Sequence, residues 1–271
     1  MKKVGRLPNL WNPQGFNDHI TLRMLRDRNP LLKTACDKIA VKSLVAERVG
    51  EEHVVPLLGA WTTAREIPWE ELPPAFVLKP SFTSGAHEIA TAESSRIELA
   101  HRAQYWLESP LPIRHFCEWG YHGINRRVMA EPLLEGPDGG ALVEWNVFVF
   151  DGRAMLLRAL MGRKLTKDRR DAWFDRQGRQ LEIRTARIVS KRHAVDAEIR
   201  LKLIELAERV AFDFSSMRVD LFQSNSGLMI GELTPYSWSG SLNWPDRRHD
   251  RLMGALFQRG ADTDALEDYR G

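Results

Sequence analysis

The chain has 271 residues, enough for one large domain or two small ones, and its 43% hydrophobic and 28% charged residues exclude a disordered or fibrous protein. Its 39 basic and 36 acidic residues nearly balance, at a net charge of +3, so we expect no nucleic-acid partner. Cys36 and Cys117 form no paired motif, and no apolar stretch approaches the roughly 20 residues that cross a bilayer. We therefore expect a cytoplasmic protein with no transmembrane segment.

The first half of the chain is predicted to mix helices with short strands. Residues 1–36, rich in Pro, Asn and Arg, are expected to form an arm that packs against the rest of the chain. Apolar periodicity and Pro and Gly positions predict the elements that follow. In order, these are a helix over 37–49, a strand over 54–58, a strand over 76–80 that leads into a small-residue loop at 81–85, a helix over 95–108 and a strand over 127–131.

Two hairpins dominate the prediction for the second half. Val143–Phe150 and Ala154–Leu160 flank Asp151-Gly152, a dipeptide typical of a two-residue hairpin turn. The other predicted elements are a charged loop with a weak strand over 163–193, a helix over 198–212, a hairpin of 218–222 with 228–233, and a helix over 246–258. Because these strands and helices mix without the regular order of βαβ units, the predicted fold class is α+β.

The second hairpin carries a pair of acidic residues. Residues 225–227 suit a three-residue loop that ends on a left-handed glycine, and in that register Asp220 faces Glu232 and Arg218 faces Thr234. Facing side chains have Cβ atoms about 4.5–5.5 Å apart, so the two carboxylates repel unless a cation lies between them, and oxygen ligands favour Mg²⁺. The alternative is that the pair binds no metal, because it faces solvent or because Arg218 neutralises it.

Three lysines are candidates for binding phosphate groups, which would complete a Mg²⁺ shell. Lys79 ends an apolar strand directly before residues 81–85, whose backbone N–H groups can face an anion. Lys38 and Lys42 lie one turn apart at the start of a predicted helix. Each lysine could equally belong to a solvated surface. The chain has neither the GxxxxGK[ST] nor the GxGxxG pattern, which excludes a P-loop and leaves a Rossmann fold without its motif.

Two further groups of side chains are candidates for functional sites. His115, Cys117 and His122 could contribute to a zinc site, but no fourth ligand is evident, so we disfavour it. Trp238 and Trp244 flank a Ser-Gly-Ser segment, and among the nine tryptophans these two are the candidates for contact with a substrate.

Short segments that carry these features stand in a recognisable order. They are Asp37–Lys42, Leu72-Pro73 through Phe76–Pro80, Ser84-Gly85, Glu118-Trp119 with Tyr121, Glu131–Leu134, Glu144–Asn146 with Asp151-Gly152, Arg218–Asp220 and Gly231–Thr234. No single segment is specific, but the ordered set resembles the ATP-grasp superfamily and, more narrowly, the TupA-like ATP-grasp family of bacterial polysaccharide gene clusters. The resemblance runs from about Leu7 to Gly254.

The resemblance implies an ATP-grasp fold with two α/β subdomains and ATP bound between them. Unlike many ATP-grasp enzymes, the chain is expected to have no full N-terminal α/β domain before the Lys38 region. The implied organisation is an N-terminal arm over 1–36, an N-subdomain over 37–130, a C-subdomain over 131–258 and a C-terminal tail over 259–271.

The resemblance also implies roles for individual residues. ATP phosphates would be held by Lys38, Lys42 and Lys79, under a loop that contains Ser84 and Gly85. The adenine would be read by the backbone of the hinge Glu131, Pro132, Leu133 and Leu134, with Glu144 as a further acid at the cofactor site. Mg²⁺ would be bound by Asp220 and Glu232. Catalysis would depend on Lys79 and on Arg163, near the transferred phosphate.

Three positions depart from the family pattern. Asn146 stands where the family typically has lysine, which puts the role of that position in doubt. Lys42 replaces a usual arginine, and Thr234 stands where many ATP-grasp ligases use asparagine at the metal site.

By resemblance, the expected activity is ATP-dependent ligation of a carboxylate to an amine through an acyl phosphate, with ATP and Mg²⁺ as cofactors. The expected substrates are small-molecule or polymer-linked, and the product is an amino-acid or peptide decoration on a cell-surface polysaccharide or its precursor. Polysaccharide biosynthesis enzymes are the expected partners. Two alternatives stay open: a phosphotransferase on the same fold, and a nucleotide-binding module without catalysis, for which Asn146 is the hint.

Overall fold

The computed structural model describes residues 6–162, 170–183, 188–189 and 193–259. The chain divides into two compact units, a continuous unit of residues 28–134 and a discontinuous unit of residues 1–27 with 135–271. Both combine helices with largely antiparallel sheets, which confirms the α+β class. The predicted boundaries of arm, subdomains and tail, after residues 36, 130 and 258, stay predictions.

The helices and strands alternate irregularly along the chain. The described helices are α1 (Phe16–Arg26), α2 (Leu31–Cys36), α3 (Ala40–Val49), α4 (Arg96–Glu108), α5 (Ala197–Ala211) and α6 (Arg247–Arg259). The described strands are β1 (Gly59–Trp61), β2 (Phe76–Pro80), β3 (Glu88–Ala90), β4 (Val128–Pro132), β5 (Val143–Phe150), β6 (Arg153–Met161), β7 (Arg170–Asp175), β8 (Gln180–Leu181), β9 (Ile188–Val189), β10 (Ser216–Ser224) and β11 (Gly227–Thr234).

The continuous unit is built on a four-stranded antiparallel sheet in the order β1-β4-β2-β3. Alternation along β2 buries Phe76 and Leu78 against the core, while Lys79 points to the other face. The helix α4 packs on the same core through Leu99 and Ala103, and it begins at Ser95, whose side chain accepts from the Glu98 N–H at 3.3 Å. The sheet therefore fixes Lys79 on a rigid strand.

The prediction of a strand over residues 54–58 is wrong. The strand β1 instead covers Gly59–Trp61 and pairs with β4, and Leu57 and Leu58 are 40% and 39% exposed. Pro56 lacks an N–H group and interrupts the apolar run, which explains why the strand begins only after it.

The sheet of the discontinuous unit has the order β11-β10-β5-β6-β7-β8, and β9 pairs with β7. All described pairings are antiparallel except the parallel pair of β7 with β9. The predicted hairpin of β5 and β6 is confirmed. Its turn residues Asp151 and Gly152 have φ of 44° and 77°, the left-handed backbone that this turn type requires.

The strand β7 lies in a segment predicted as a charged loop with a weak strand. Its residue Asp171 is fully buried and forms an ion pair with Arg158 at 2.6 Å, and Asp175 pairs with Arg179 at 2.8 Å. Buried charges are tolerated when they are paired, so the charge density of this segment does not prevent it from entering the sheet.

The N-terminal segment is tied to the last described helix of the same unit. The ring of Phe16 on α1 lies 5.7 Å from that of Phe257 on α6, and Arg6 pairs with Asp18 at 2.6 Å and with Asp250 at 3.0 Å. Burial alone would raise the pKa of Asp18, but the hydrogen bonds from Arg6 and from backbone N–H groups, among them that of Gly15, outweigh it and lower the pKa. The segment thus packs on the fold, as expected of an arm.

Candidate functional site

The hairpin of β10 and β11 places two carboxylates opposite each other. Asp220 faces Glu232 and Arg218 faces Thr234, as predicted, but the predicted three-residue loop is wrong because Ser224 pairs directly with Gly227. The register shifts by one residue at Gly231, which has no partner on β10, and this bulge restores the predicted pairs.

A glycine is needed at the bulge. A Cβ atom on Gly231 would lie 2.4 Å from a ring carbon of Phe222 on the neighbouring strand, closer than side chains pack. A side chain at position 231 would therefore require the Phe222 ring or the strand to move.

The carboxylate of Asp220 is buried and held on two sides. The Arg218 guanidinium donates to both of its oxygens at 2.6 Å, and the amide of Asn146 on β5 donates to Oδ1 at 2.9 Å. Burial raises the pKa of Asp220, and with the nearby charges of Glu144 and Glu232 it outweighs Arg218, so that the pKa is about 6. In turn, burial would lower the pKa of Arg218, but Asp220 raises it instead.

The two carboxylates are donors of the kind that Mg²⁺ takes, and in this structure Arg218 pairs with both oxygens of Asp220, which is the neutralised alternative. Asp220 and Glu232 supply oxygen donors, and Mg²⁺ is commonly held by one or two carboxylates while waters and phosphates complete its shell. The raised pKa of Asp220 marks a place where an added cation would favour the ionised carboxylate. No group of three or more His, Cys, Asp or Glu side chains suited to a metal occurs in the described part of the chain. Phosphate oxygens and waters would therefore have to supply the other ligands.

A tryptophan with a left-handed backbone lies against this hairpin. The Arg218 guanidinium lies 5.5 Å from the Trp238 ring, and that of Arg158 lies 5.6 Å from it. Trp238 and Ser239 have φ of 52°, a conformation that side chains rarely adopt. Trp244 is buried with its ring 6.4 Å from that of Trp238, so the two predicted tryptophans lie together. Their contact with a substrate stays a prediction.

In the continuous unit, two candidate lysines share one carboxylate. Lys79 Nζ lies 2.5 Å from Glu131 Oε2, and Lys42 Nζ lies 2.8 Å from Glu131 Oε1. Burial would raise the pKa of Glu131, but the two ammonium groups outweigh it and lower the pKa. Burial lowers the pKa of Lys42 despite Glu131. The structure thus presents the Glu131 side chain to both lysines, whereas sequence reasoning gave this residue a backbone role.

The third candidate lysine contacts the small-residue loop. The backbone N–H of Lys38 donates to the Ser81 carbonyl at 3.1 Å, and its buried ammonium donates to the Thr83 carbonyl. Gly85 ends the loop with φ of 78°. The structure therefore brings Lys38 and the loop 81–85 together.

The other predicted site residues lie elsewhere on the elements already described. Pro132 ends β4, and Leu133 and Leu134 directly precede the boundary between the compact units. Glu144 lies on β5, where its Oε1 is 3.4 Å from the Asn146 amide. Arg163 lies outside the described residues.

Sequence reasoning missed two contributions to these sites. Asn146, noted only as a departure, is a hydrogen-bond donor to Asp220, and the ring of the buried His115 is bonded to Thr83 and Glu118. Both ring nitrogens of His115 therefore have hydrogen-bond partners. The alternation of β5 was the available signal for Asn146, whereas no local pattern connects His115 with Thr83, 32 positions away.

Comparison with known proteins identifies the fold and then the family. The chain shares its fold with D-alanine–D-alanine ligase from Bacillus anthracis, at a TM-score of 0.52 and 13% identity, over 89% of this chain and 70% of that one. A second structure of that ligase, complexed with ATP, matches at a TM-score of 0.50 and 12% identity, with the same coverage. The chain therefore has an ATP-grasp fold. The model of the TupA-like ATP-grasp family matches residues 18–258, and the chain belongs to that family.

The remaining comparisons limit which properties of known proteins can be transferred to this chain. The structure of the ATP-grasp ligase PsnB complexed with a minimal precursor matches at 13% identity and a TM-score of 0.46, over 89% of this chain. This chain spans 62% of the length of that ligase. No protein with curated annotation matches significantly. None of the helices among the described residues is long and apolar enough to cross a membrane.

Proposed function

We propose that this chain is an ATP-dependent ligase that joins a carboxylate to an amine through an acyl phosphate. The observation that carries the proposal is the facing pair of Asp220 and Glu232, within a chain of the TupA-like ATP-grasp family. The pair supplies oxygen donors for the metal that accompanies ATP. Phosphate groups of ATP would be bound by Lys38, Lys42 and Lys79.

The lysines are suited to phosphate because Lys38 is buried, Lys42 and Lys79 are partly buried, and all three are held in place. Lys42 and Lys79 are fixed by Glu131, and Lys38 by the Thr83 carbonyl. An ammonium group in a site of low dielectric attracts an anion more strongly than one in water. Phosphate oxygens would replace or join these partners, so the binding geometry of the lysines is largely prepared before ATP arrives.

Asp220 and Glu232 would hold Mg²⁺, which when bound neutralises charge that develops on the transferred phosphoryl group. The chain's own residues prepare this site. Arg218 and Asn146 orient the Asp220 carboxylate by donating to it, and the Arg218 guanidinium offers a positive charge on the same strand. Arg163 is proposed to contact the transferred phosphate.

The proposed reaction has two steps. The terminal phosphoryl group of ATP passes to a carboxylate oxygen, which gives an acyl phosphate and ADP. The amine nitrogen then attacks the carbonyl carbon and loses a proton, and phosphate leaves, so that the products are an amide, ADP and phosphate. The loop 81–85, as a cover over the phosphates, would keep water from hydrolysing the acyl phosphate.

The finer assignments rest on family resemblance. The acceptor is proposed to be a cell-surface polysaccharide or its precursor, decorated with an amino acid or peptide in the cytoplasm alongside polysaccharide biosynthesis enzymes. The hinge 131–134 is proposed to read the adenine, with Glu144 nearby. Trp238 and Trp244 are the proposed contacts for the substrate. The Trp238 ring lies beside the guanidinium groups of Arg218 and Arg158, and the Trp244 ring lies beside that of Trp238.

Titration of ATP into the protein, with Mg²⁺ and then with EDTA, tests the site. We expect Mg²⁺-dependent binding, and we expect Asp220→Asn to weaken it at least about tenfold because a charged oxygen donor is lost. Glu205→Gln, which neutralises an exposed carboxylate on α5 of the same unit, is the matched control and should bind as the wild type. Equal binding by Asp220→Asn and wild type would remove Asp220 from the metal site.

Hydroxylamine separates the ligase from a phosphotransferase. With candidate carboxylates and ATP, an acyl phosphate is trapped as a hydroxamate while ADP forms, whereas a phosphorylated alcohol gives no hydroxamate. ADP formation that depends on an alcohol acceptor, without hydroxamate, would favour the phosphotransferase.

A further inference from the structure

Four successive residues of the loop 81–85 are each held by a different group of the continuous unit. The Ser81 N–H donates to the Arg127 carbonyl at 2.9 Å, and the Phe82 ring lies 4.3 Å from the Arg126 guanidinium. The Thr83 hydroxyl lies 2.8 Å from Nε2 of His115, and Arg114 donates to the Ser84 carbonyl at 2.7 Å. The loop is therefore anchored along its length by the segments 113–116 and 125–127.

The bond from Thr83 belongs to a buried chain of three groups. His115 is 0% exposed and Glu118 is 2% exposed, and His115 Nδ1 is hydrogen-bonded to Glu118 Oε2. The Glu118 carboxylate accepts a hydrogen bond from Nδ1–H of His115, and Nε2 on the other side of the ring is then the atom that meets the Thr83 hydroxyl. The Tyr121 ring packs on the imidazole with 4.0 Å between ring centroids. The Glu118 carboxylate and the Tyr121 ring thus both fix the orientation of the His115 imidazole.

Thr83 also connects this series of hydrogen-bonded groups to Lys38. Its carbonyl accepts from the Lys38 ammonium, while its hydroxyl is bonded to His115. A rotation of the Thr83 backbone would move that carbonyl and, with it, the ammonium group. The position of Lys38 therefore depends on contacts that Thr83 makes through its side chain.

We propose that His115, oriented by Glu118, is a positioning residue that fixes Thr83 and thereby sets the place of the Lys38 ammonium for nucleotide phosphate. This inference rests on the proposed function, in which Lys38 binds phosphate. A hydroxyl, an imidazole and a carboxylate in this order also activate nucleophiles in enzymes. Here Thr83 is buried and its carbonyl holds a candidate ligand lysine, which makes positioning the role that its contacts support.

Two threonine variants test the hydroxyl itself. Thr83→Val keeps the shape of the side chain and removes the hydroxyl, whereas Thr83→Ser keeps the hydroxyl. Thr91→Val is the matched control, because the Thr91 hydroxyl is bonded to Glu93 at 2.6 Å beyond the opposite end of the β2–β3 pair. Two quantities are measured on the full chain: hydrogen exchange of residues 81–85 without nucleotide, and the dissociation constant of ATP with Mg²⁺.

We expect Thr83→Val to speed exchange of the loop amides about tenfold and to raise the ATP dissociation constant about tenfold, the effect of one lost buried hydrogen bond. Thr83→Ser should stay within about twofold of the wild type in both, and Thr91→Val should match it. This rescue by serine separates positioning from a general loss of stability, which thermal melting of each variant records.

Each other outcome decides against the inference or against the proposed function. Wild-type exchange and affinity in Thr83→Val, or equal losses in Thr83→Val and Thr83→Ser, would overturn the role of the hydroxyl. If Thr83→Val does not fold, His115→Leu, which cannot hydrogen-bond to Thr83, is measured in its place and is expected to give the same faster exchange, with wild-type exchange overturning the inference. Absence of ATP binding by the wild type would count against the proposed function, while the exchange arm would still decide whether His115 fixes the loop.

Discussion

Glu131 pairs with two lysines of the continuous unit at once. Glu131→Gln keeps the shape but leaves the partly buried ammonium groups of Lys42 and Lys79 without their shared carboxylate. Breaking a fully buried ion pair on one side costs about 3–5 kcal/mol, so we expect a loss of up to that size in the free energy of unfolding at pH 7, measured with urea.

The comparison for this variant is an exposed pair of the same unit. Glu88→Gln removes the partner of Arg102, and both side chains of that pair are about half exposed, so we expect a loss below about 1 kcal/mol. Because burial already lowers the pKa of Lys42, the penalty of Glu131→Gln should shrink at alkaline pH, where Lys42 can lose its proton. Equal effects of the two substitutions would show that Glu131 is not the counter-ion of this site.

At the scale of an element, the bulge in β11 decides which residues face each other. Gly231→Ala introduces a Cβ atom 2.4 Å from the Phe222 ring, so the ring or the strand must move. We expect a loss of about 1–3 kcal/mol in the free energy of unfolding, as for an overpacked interior, together with weaker Mg²⁺-dependent ATP binding because Asp220 and Glu232 no longer face each other. Urea unfolding and ATP titration measure the two effects.

The control for the bulge is the other glycine of the same hairpin. Gly227 has φ of 101° and open space around its Cβ position, so Gly227→Ala adds backbone strain of about 1–2 kcal/mol without crowding. It should lower stability but leave ATP binding unchanged. If both glycine variants bind ATP as the wild type does, the bulge is not needed to align the carboxylates.

The two hairpins of this sheet show which elements could be predicted from the sequence. The hairpin of β5 and β6 was predictable because its turn signal, Asp151-Gly152, is local. The pairing of Asp220 with Glu232 was also predicted, but through a loop that does not exist, and the bulge at Gly231 compensated for the error. A bulge adds one unpaired residue, here Gly231, and the apolar pattern of the strand did not indicate where this residue would fall.

Other features could not be predicted from the sequence because the contacts that stabilise them join residues far apart in the chain. The strand β7 carries charges that oppose a buried assignment until Arg158, on the neighbouring strand, is known to pair with Asp171. The bond between Thr83 and His115 likewise joins segments that no periodicity connects. The candidate lysines and carboxylates were identifiable by their order along the chain, whereas the groups that hold them in place emerged only from the folded structure.

At the scale of the whole molecule, acid should weaken the anchoring of the N-terminal segment. The pKa of Asp18 is lower in the folded chain than the roughly 3.9 of an unfolded aspartate, so its stabilisation is present above about pH 4 and is lost as the pH falls through the folded value. Asp18→Asn should therefore lower stability at pH 7 and flatten its decline below pH 5. The urea midpoint as a function of pH measures this.

An aspartate on the surface of the same unit provides the control. A hydrogen bond from Arg248 lowers the pKa of Asp246 to about 2, but this pair lies in contact with solvent and is screened. Asp246→Asn should therefore change the acid limb far less than Asp18→Asn. The opposite order of the two effects would mean that Asp18 does not anchor the segment.

The bond between Arg6 and Asp250, and the contact of Phe16 with Phe257, have a consequence for the order of events during synthesis. A ribosome releases a chain in the order of its sequence, so the continuous unit, 28–134, emerges before the residues of α6 that contact α1. Until residues 250–257 emerge, α1 lacks the part of its native surface that α6 supplies, and in this interval a nascent chain would benefit from a chaperone.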